Sequence, residues 1–332
     1  MKVLVIGGTR FVGLRLVRFL ANQGHDITLL NRGKAKAQLP DGLKRLFVDR
    51  RDSSAIKSAL LDNSFDVVFD MTGYQLKNLE PLVSILNGKT GHYVFQSTCG
   101  VYAESEIFPI LEDFPYVQMA GSSVSSAYEL NKIECEEYLF KAHRETGFPV
   151  TILRCPVVYG PENWMDEREG SYFVRLLQGR KILVPGNGST IIQLTYVDDL
   201  ARAHLAVVGQ QQTFGQAYNI ADAQAITINE YLDIIAKIVG KDIKKIYLEP
   251  REIKKLKRSI FPFTWEKNSF FGIQKAKEHF GFWPNYDLKN GLENTYRWWT
   301  KERGLDRIRF VPGELGYDVD LAYEEEVIKK YI

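Results

Sequence analysis

The sequence predicts an α/β fold, a doubly wound parallel sheet with a smaller C-terminal lobe. Three observations predict it. Short apolar runs recur along the first half of the chain with helical patterns between them. That alternation calls for parallel strands covered by helices on both faces and joined by right-handed crossovers. The first run empties into a glycine-rich turn that opens a helix. Further along, the alternation gives way to irregular and extended segments, as a second lobe requires.

The stretch VLVIGGTRFVGLRLVRFLAN holds the opening strand (Val3, Leu4, Val5, Ile6), the turn (Gly7, Gly8) and the first helix. Phe11, Val12, Leu14, Leu16, Val17, Phe19 and Leu20 supply the buried side of that helix, and Gly24 is placed to end it. Such a turn brings backbone N–H groups and the positive end of a helix dipole to one point, which suits a pyrophosphate. Counted as G-x-x-G-x-x-G, the outer positions are Gly7 and Gly13, but the middle one is Arg10. Gly7, Gly8, Thr9, Arg10, Phe11, Val12 and Gly13 are thus the expected phosphate cradle, with a bulky cation in place of its central glycine.

HDITLLNR, 25–32, is a second strand. In dinucleotide-binding folds its end faces the adenosine ribose, where a carboxylate holds the 2′-hydroxyl and a base tolerates a 2′-phosphate. Here stand Asn31, Arg32 and Lys34 with no carboxylate, which together with Arg10 favours NADP over NAD. LFVDRRD, 46–52, is a third strand with Asp49 at its tip and Arg50 beside it. DVVFDMTG, 66–73, is a fourth that closes on Thr72 and Gly73, and HYVFQSTCG, 92–100, is a fifth. Helices at 54–61 and 76–86 lie between them. Ligands of such sheets sit at the carboxyl ends of the strands, so the 7–13 turn, Asn31, Asp49, Thr72 and Thr98 share one rim.

YELNK opens a long helix that runs to about residue 145, with Ser125 or Ser126 as its cap. Four-residue spacing sets Tyr128 and Lys132 on one face, a turn apart. A free tyrosine ionises near pH 10, so acting as a base near neutrality needs about 4 kcal/mol of differential stabilisation. A lysine ammonium one turn away, with the charge of an oxidised nicotinamide, acts in that direction. The pair is a candidate proton-transfer unit.

PVTILRCPVVYGP, 149–161, is a sixth strand and turn. A helix is expected at 171–179, irregular and extended chain at 181–195, and a helix at 196–208 with Asp198 or Asp199 complementing its dipole. A last strand at 217–220 and an amphipathic helix at 227–239 follow. The dinucleotide domain is expected at 1–160, completed by about 195–220, and the substrate lobe at 161–194 and 221–332, with a substrate pocket between them.

Composition excludes several classes. A net charge of +2 with 25% charged residues gives no electrostatic case for a nucleic-acid or membrane partner. The first apolar run is too short for a signal peptide or a membrane span, so a cytoplasmic location is expected. Cys99, Cys135 and Cys155 are never C-x-x-C and are read as reduced thiols.

Taken together, GGTRFVG, VDRRD, the MTG turn, QSTCGVY, YELNK, LRCPVVYGP, VPGNGS and YVDDLARA resemble the extended short-chain dehydrogenase/reductase family, the NAD(P)-dependent epimerase/dehydratase group, in that family's order. The variant GGTRFVG resembles an atypical branch that includes chloroplast RNA-binding proteins. The resemblance implies a Rossmann-like cofactor domain and a mechanism in which Tyr128 takes a substrate hydroxyl proton while hydride passes to the nicotinamide. Lys132 would bind the nicotinamide ribose and lower the tyrosine pKa, and Thr98, or its neighbour Ser97, would hydrogen-bond the reacting oxygen. Asp49 would meet the adenine amine, Arg50, Thr72, Gly73 and Ser97 would line the cofactor, and Pro156 and Val157 would sit by the carboxamide. A homodimer packed through the Tyr128 helix and the one before it is also implied.

Two departures bear on substrate. Sugar-nucleotide epimerases of the family often carry asparagine where this chain has Val157, and a phosphate-binding arginine where it has Ile192. An apolar side chain cannot offset a buried phosphate charge, which leaves Arg175, Arg180 or the basic segment 244–258 as substitutes. The expected activity is epimerase/dehydratase-type oxidoreduction of a sugar or nucleotide-sugar-like small molecule. The alternatives are an NADPH-dependent ketone reductase and a cofactor-binding, RNA-associated or regulatory protein of the same fold.

Other clusters read as structure. Glu134, Glu136 and Glu137 lack a histidine at ligand spacing and are read as a solvated helix face, not a metal site. Cys99 is read as a small buried filler. The segment 244–258 is read as an exposed surface helix, ahead of Phe261, Phe263 and Trp265, and Glu324, Glu325 and Glu326 as a solvating acidic tail.

Overall fold

The computed structural model describes residues 1–117, 126–165, 168–257, 260–261, 267–304 and 321–330. In chain order the elements are β1 (Lys2–Ile6), α1 (Phe11–Asn22), β2 (Asp26–Asn31), β3 (Lys44–Phe47), α2 (Ser53–Leu60), β4 (Val67–Asp70), α3 (Leu76–Leu86), β5 (Tyr93–Thr98), α4 (Ala127–Thr146) and β6 (Val150–Cys155). There follow β7 (Val157–Tyr159), α5 (Glu169–Leu177), β8 (Ile182–Pro185), β9 (Ile191–Ile192), β10 (Leu194–Tyr196), α6 (Val197–Ala206), β11 (Gln216–Asn219), β12 (Ile226–Thr227) and α7 (Ile228–Val239). The last are β13 (Lys245–Leu248), α8 (Pro250–Ile253), α9 (Gln274–Phe280), α10 (Leu288–Trp298) and α11 (Leu321–Lys330).

The chain divides into two compact units, the first comprising Met1–Val158, Val197–Ala223 and Phe271–Asn285. It holds a seven-stranded parallel sheet in the order β11-β6-β5-β4-β1-β2-β3. Side chains alternate across β1, so each face receives a helix layer. Val3 and Val5 pack with Leu16 and Val17 of α1 and Leu200 and Ala203 of α6. Leu4 and Ile6 pack on the other side with α2, α3 and α4 through Ile56, Leu79 and Leu139. Strand order reverses direction at β1, next to β4, which is where open sheets of this kind bind ligands.

β3 differs from its predicted span of 46–52. It begins at Lys44, paired with Thr28, and ends at Phe47. Backbone pairing to β2 needs no apolar side chains at a sheet edge, so the polar Lys44 and Arg45 gave no hydrophobic signal, while Asp52 leaves the strand to cap α2 through the N–H groups of Ser54 and Ala55.

The second unit comprises Tyr159–Tyr196, Gln224–Phe270 and Tyr286–Ile332. The segment 181–195, expected to be irregular, carries β8, β9 and β10, with β8 paired parallel to β13. The basic segment is thus no surface helix: its first part is β13, whose Leu248 packs with Leu183, Phe261 and Val327, and only the four-residue α8 follows. Arg258, Phe263 and Trp265 lie outside the described residues. Glu324 is buried and ion-paired to Arg175, and Arg180 Nη1 pairs with Glu325 at 2.6 Å. The first acid of the tail therefore does not solvate the chain, and both arginines put forward for a substrate phosphate are already matched by carboxylates. Among the described residues no helix is long and apolar enough to cross a membrane.

Candidate active site

At the carboxyl end of β1 the cradle is closed to side chains. A Cβ on Gly7, at φ +91°, would lie 2.3 Å from the Thr72 methyl, and one on Gly13 would lie 2.5 Å from the Gly7 carbonyl oxygen. Gly8 instead serves packing, its missing Cβ replaced by Val5, Val17 and Leu29. Arg10 caps α1 with extended backbone (φ −144°), which any residue adopts, and its side chain is exposed. The position that carries strain is Phe11, at φ +43°. Non-glycine residues held there cluster at ligand sites. No side chain caps α1, so the N–H groups of its first turn suit an anion. The side chain of Val12 packs into the core, which leaves only its backbone for the cradle. A dinucleotide pyrophosphate fits these residues.

At the carboxyl end of β2, Asn31 Oδ1 accepts from the Gly33 N–H at 2.8 Å, while its Nδ2 is buried without a hydrogen-bond partner. Arg32 is exposed. An orphaned donor there is consistent with a ligand that supplies the acceptor. Asp49 is clamped by Arg51, whose hydrogen bonds hold its carboxyl down at about 2. Arg50 departs from its expected role. Its guanidinium is buried against Asp70, with Nη1 at 2.6 Å and Nη2 at 3.0 Å from the carboxylate, and Nη1 also donates to Thr72 Oγ1 at 3.1 Å. A buried carboxylate demands a cation, so the Arg50 guanidinium is engaged by Asp70 and braces the Thr72 turn. Asp70 also accepts from Tyr93 Oη at 2.8 Å and the Thr72 N–H at 3.0 Å. The sequence reading passed over Asp70, although a carboxylate within the apolar VVFDM was a usable signal.

The capping box of Ser126 and Glu129 starts α4, and Ser125 lies outside the described residues. Tyr128 projects from the first turn with 42% of its surface exposed. Lys132, one turn on, is 1% exposed, and its Nζ donates to the Gln96 carbonyl of β5 at 2.6 Å. Burial lowers its pKa to about 8. The Tyr74 ring lies 5.1 Å from that ammonium and 6.2 Å from the Tyr128 ring, so an aromatic side chain absent from the sequence reading borders both candidates. Gly73, just before it, has no room for a Cβ against the Phe95 ring.

Thr98 ends β5, and its Oγ1 accepts from the Gly100 N–H at 3.1 Å. Ser97 points the other way: its hydroxyl is buried and donates to Glu136. Successive strand residues face opposite sides, so the Ser97 side chain does not reach the rim. Glu136 is not on a solvated face either, because its carboxylate is fully buried and paired with Arg154 Nη2 at 2.6 Å. Arg154 also donates to Tyr102 Oη at 2.9 Å and Tyr116 Oη at 3.1 Å. Pro156 and Val157 follow β6 half-buried. Cys99 is buried, and its thiol is pushed well up by burial, as befits a filler. Among the described residues no three His, Cys, Asp or Glu side chains could share a metal ion.

The model of the NAD dependent epimerase/dehydratase family matches residues 3–221. The chain is 33% identical over 309 residues to the chloroplast stem-loop binding protein of 41 kDa b of Arabidopsis thaliana, covering 89% of this chain and 78% of that one. It is 27% identical to UDP-N-acetyl-alpha-D-glucosaminuronate decarboxylase of Bacillus cytotoxicus, covering 90% of this chain and 97% of that one. Among solved structures, UDP-glucose 4-epimerase of Thermotoga maritima with UDP-glucose matches with a TM-score of 0.75 at 24% identity, over 91% of this chain and 99% of that one. The dTDP-glucose 4,6-dehydratase of Bacillus anthracis in complex with NAD matches with a TM-score of 0.77 at 18% identity, over 93% and 100%. At such identities the structural likeness establishes the fold, while the family match spans most of the chain: the chain belongs to the NAD dependent epimerase/dehydratase family, within the extended short-chain dehydrogenases/reductases.

Proposed function

We propose that the chain catalyses epimerase/dehydratase-type oxidoreduction at a hydroxyl- or ketone-bearing carbon of a nucleotide-sugar-like substrate. The observation that carries this is Lys132, an amine sealed under the rim at the Gln96 carbonyl, one helical turn from an exposed phenol. Tyr128 withdraws the hydroxyl proton, and the Lys132 charge favours its phenolate. Thr98 accepts an N–H through its oxygen, which leaves its own O–H to donate to the reacting oxygen. A nicotinamide dinucleotide, which the 7–13 turn, Asn31 and Thr72 would hold, would supply the hydride acceptor. The carbonyl of Gln96 fixes the ammonium, and the cradle of residues 7–13 orients the phosphates. The units are read as a cofactor domain and a substrate domain.

The test is Tyr128→Phe assayed on UDP-glucose, UDP-glucuronate and dTDP-glucose. Loss of a positioned general base lowers kcat by roughly 10²- to 10⁴-fold, while dinucleotide affinity stays unchanged. Full turnover in the variant would rule out the assignment. For the cofactor, Asn31, exposed Arg32 and exposed Lys34 support NADP over NAD, and tighter binding of NADH than of NADPH would reverse that preference. The outer faces of α3 and α4, with Leu76, Tyr138 and Phe140 along a groove between them, support a homodimer, read by sedimentation velocity. Three buried free thiols accord with a reducing, cytoplasmic setting.

A second reading, RNA association, rests on the likeness to the chloroplast stem-loop binding protein. Stem-loop RNA bound equally well by wild type and Tyr128→Phe, with no turnover of nucleotide sugars by either, would favour it.

A further inference from the structure

Lys132 sits in a cage, and one wall of that cage meets solvent. The ammonium donates to the Gln96 carbonyl at 2.6 Å, and two aromatic rings flank it, Phe95 with its centroid 4.6 Å away and Tyr74 at 5.1 Å. Phe95 is wholly buried, in the core with Cys135 and Leu139 of α4. Tyr74 is 50% exposed, yet the lysine beside it is 1% exposed. Its ring is the outer wall.

The turn after β4 brings Tyr74 there. Asp70 accepts the Thr72 N–H at 3.0 Å, and Gly73 runs so close to Phe95 that a Cβ on it would lie 2.3 Å from the ring. The turn thus packs on the other wall of the cage before Tyr74 begins. The Tyr74 ring also lies 6.2 Å from that of Tyr128 at an interplanar angle of 48°, within the range of interacting aromatic pairs. One side chain therefore borders both members of the proton-transfer pair.

An aromatic face carries partial negative charge and attracts an ammonium within about 6 Å, more strongly where water is excluded. The other charged or titratable groups near Lys132 give it little support. Asp70 of β4 favours its charge, but Arg50 pairs with Asp70 and opposes it. Cys135 of α4 and Cys155 of β6 are thiols that burial pushes up to about 11 and about 12, so neither is charged near neutrality.

We propose that Tyr74 is a positioning residue of the reaction, whose ring keeps Lys132 in its ammonium form and sets the Tyr128 phenol beside it. This deepens the Tyr128–Lys132 reading and rests on it. A neutral amine at position 132 would no longer favour the phenolate.

The experiment compares full-length wild type, Tyr74→Phe and Tyr74→Leu by NMR titration of isotope-labelled lysine, with Lys132→Met to identify the resonance, and by the pH dependence of kcat on UDP-glucose, UDP-glucuronate and dTDP-glucose. Leucine covers the amine but offers it no negative face, so Tyr74→Leu moves the Lys132 titration lower by about 0.5–1 pH unit. Lys132 of the wild type titrates at about 8. The alkaline limb of kcat moves down with it, and turnover above pH 8 falls roughly 3- to 10-fold with little change at pH 6. Tyr74→Phe keeps the ring and holds the titration and the limb at their wild-type positions. A side chain that only fills space would leave both unmoved in Tyr74→Leu, because leucine fills it too. An unmoved Lys132 titration in Tyr74→Leu therefore overturns the proposal, and so does a Tyr74→Phe variant that shifts as far as Tyr74→Leu. The titration is read without substrate and so reports separately from the activity. A shifted titration with no turnover by wild type keeps the cage and removes the reaction. Tyr128-dependent turnover with the titration unmoved does the reverse.

Discussion

At the scale of single residues, burial sets the chemistry. Lys132 is surrounded by Phe95, Tyr74 and the Gln96 carbonyl, and its pKa falls to about 8 from an ordinary 10.5 because desolvation disfavours the ammonium. A lysine whose folded pKa lies below its unfolded value binds fewer protons folded than unfolded between those two pH values. Its destabilising effect is therefore complete below about pH 8 and relieved as pH rises toward 10.5. That effect is about 3 kcal/mol at neutrality, set against about 1 kcal/mol from the Gln96 hydrogen bond. Lys132→Met is accordingly expected to be more stable than wild type by about 2 kcal/mol at pH 7, with the gap narrowing by pH 10, and to lose turnover. Urea denaturation across that range measures it, and a destabilised variant at pH 7 would contradict it. The four-residue spacing of Tyr128 and Lys132 was legible in the sequence, but the burial of one and exposure of the other was not. Identical helical spacing says nothing about which residue lies over a strand end.

At the scale of elements, two braces hold the rim. The capping box of Ser126 and Glu129 fixes the first turn of α4 two residues before Tyr128. Ser126→Ala should cost about 1 kcal/mol of stability and lower kcat more than it raises KM, read from thermal melts and steady-state kinetics. The other brace is the Arg50–Asp70 pair, which ties the loop after β3 to the end of β4 and the Thr72 turn. Arg50→Met strands a carboxylate in the core and should cost about 3–5 kcal/mol. Adding Asp70→Leu should restore much of that loss. If the double variant were no more stable than the single one, the pair would not be the reason for the loss. On α1, Gly13→Ala forces a methyl onto the Gly7 carbonyl and should abolish dinucleotide binding while the protein still folds; retained binding, read by fluorescence titration, would remove the cradle assignment.

At the scale of the molecule, the first unit is discontinuous in sequence. Residues 271–285 return to it after the chain has built part of the second unit. There Lys275 Nζ donates to the Ala217 carbonyl at 3.0 Å, Tyr218 Oη meets His279 Nδ1 at 2.8 Å, and Ala276 and Phe282 enter the core of one sheet face. A chain ended at residue 223 carries all seven strands of the sheet and still lacks this cover. It is expected to be aggregation-prone and to show no cooperative unfolding transition by circular dichroism. A soluble, cooperative fragment would show that the returning segment is dispensable.

The sequence alone determined the layered α/β architecture, because periods of two and 3.6 in apolar residues are local signals that every strand and helix of the sheet must carry to be buried. It also determined the glycine turn, the cap of α4 and the Tyr128–Lys132 spacing, all of them short-range. Only the tertiary structure decided which charged residues are spent inside the protein. Arg50 on Asp70, Arg154 on Glu136 and Arg175 on Glu324 are partners 20, 18 and 149 residues apart, and no local pattern distinguishes a cation that will meet a distant carboxylate from one that awaits a ligand. The same holds for β13, read as a helix because lysines surround it, and for Ser97, turned inward by the alternation of a strand whose two faces are told apart only once the sheet is packed.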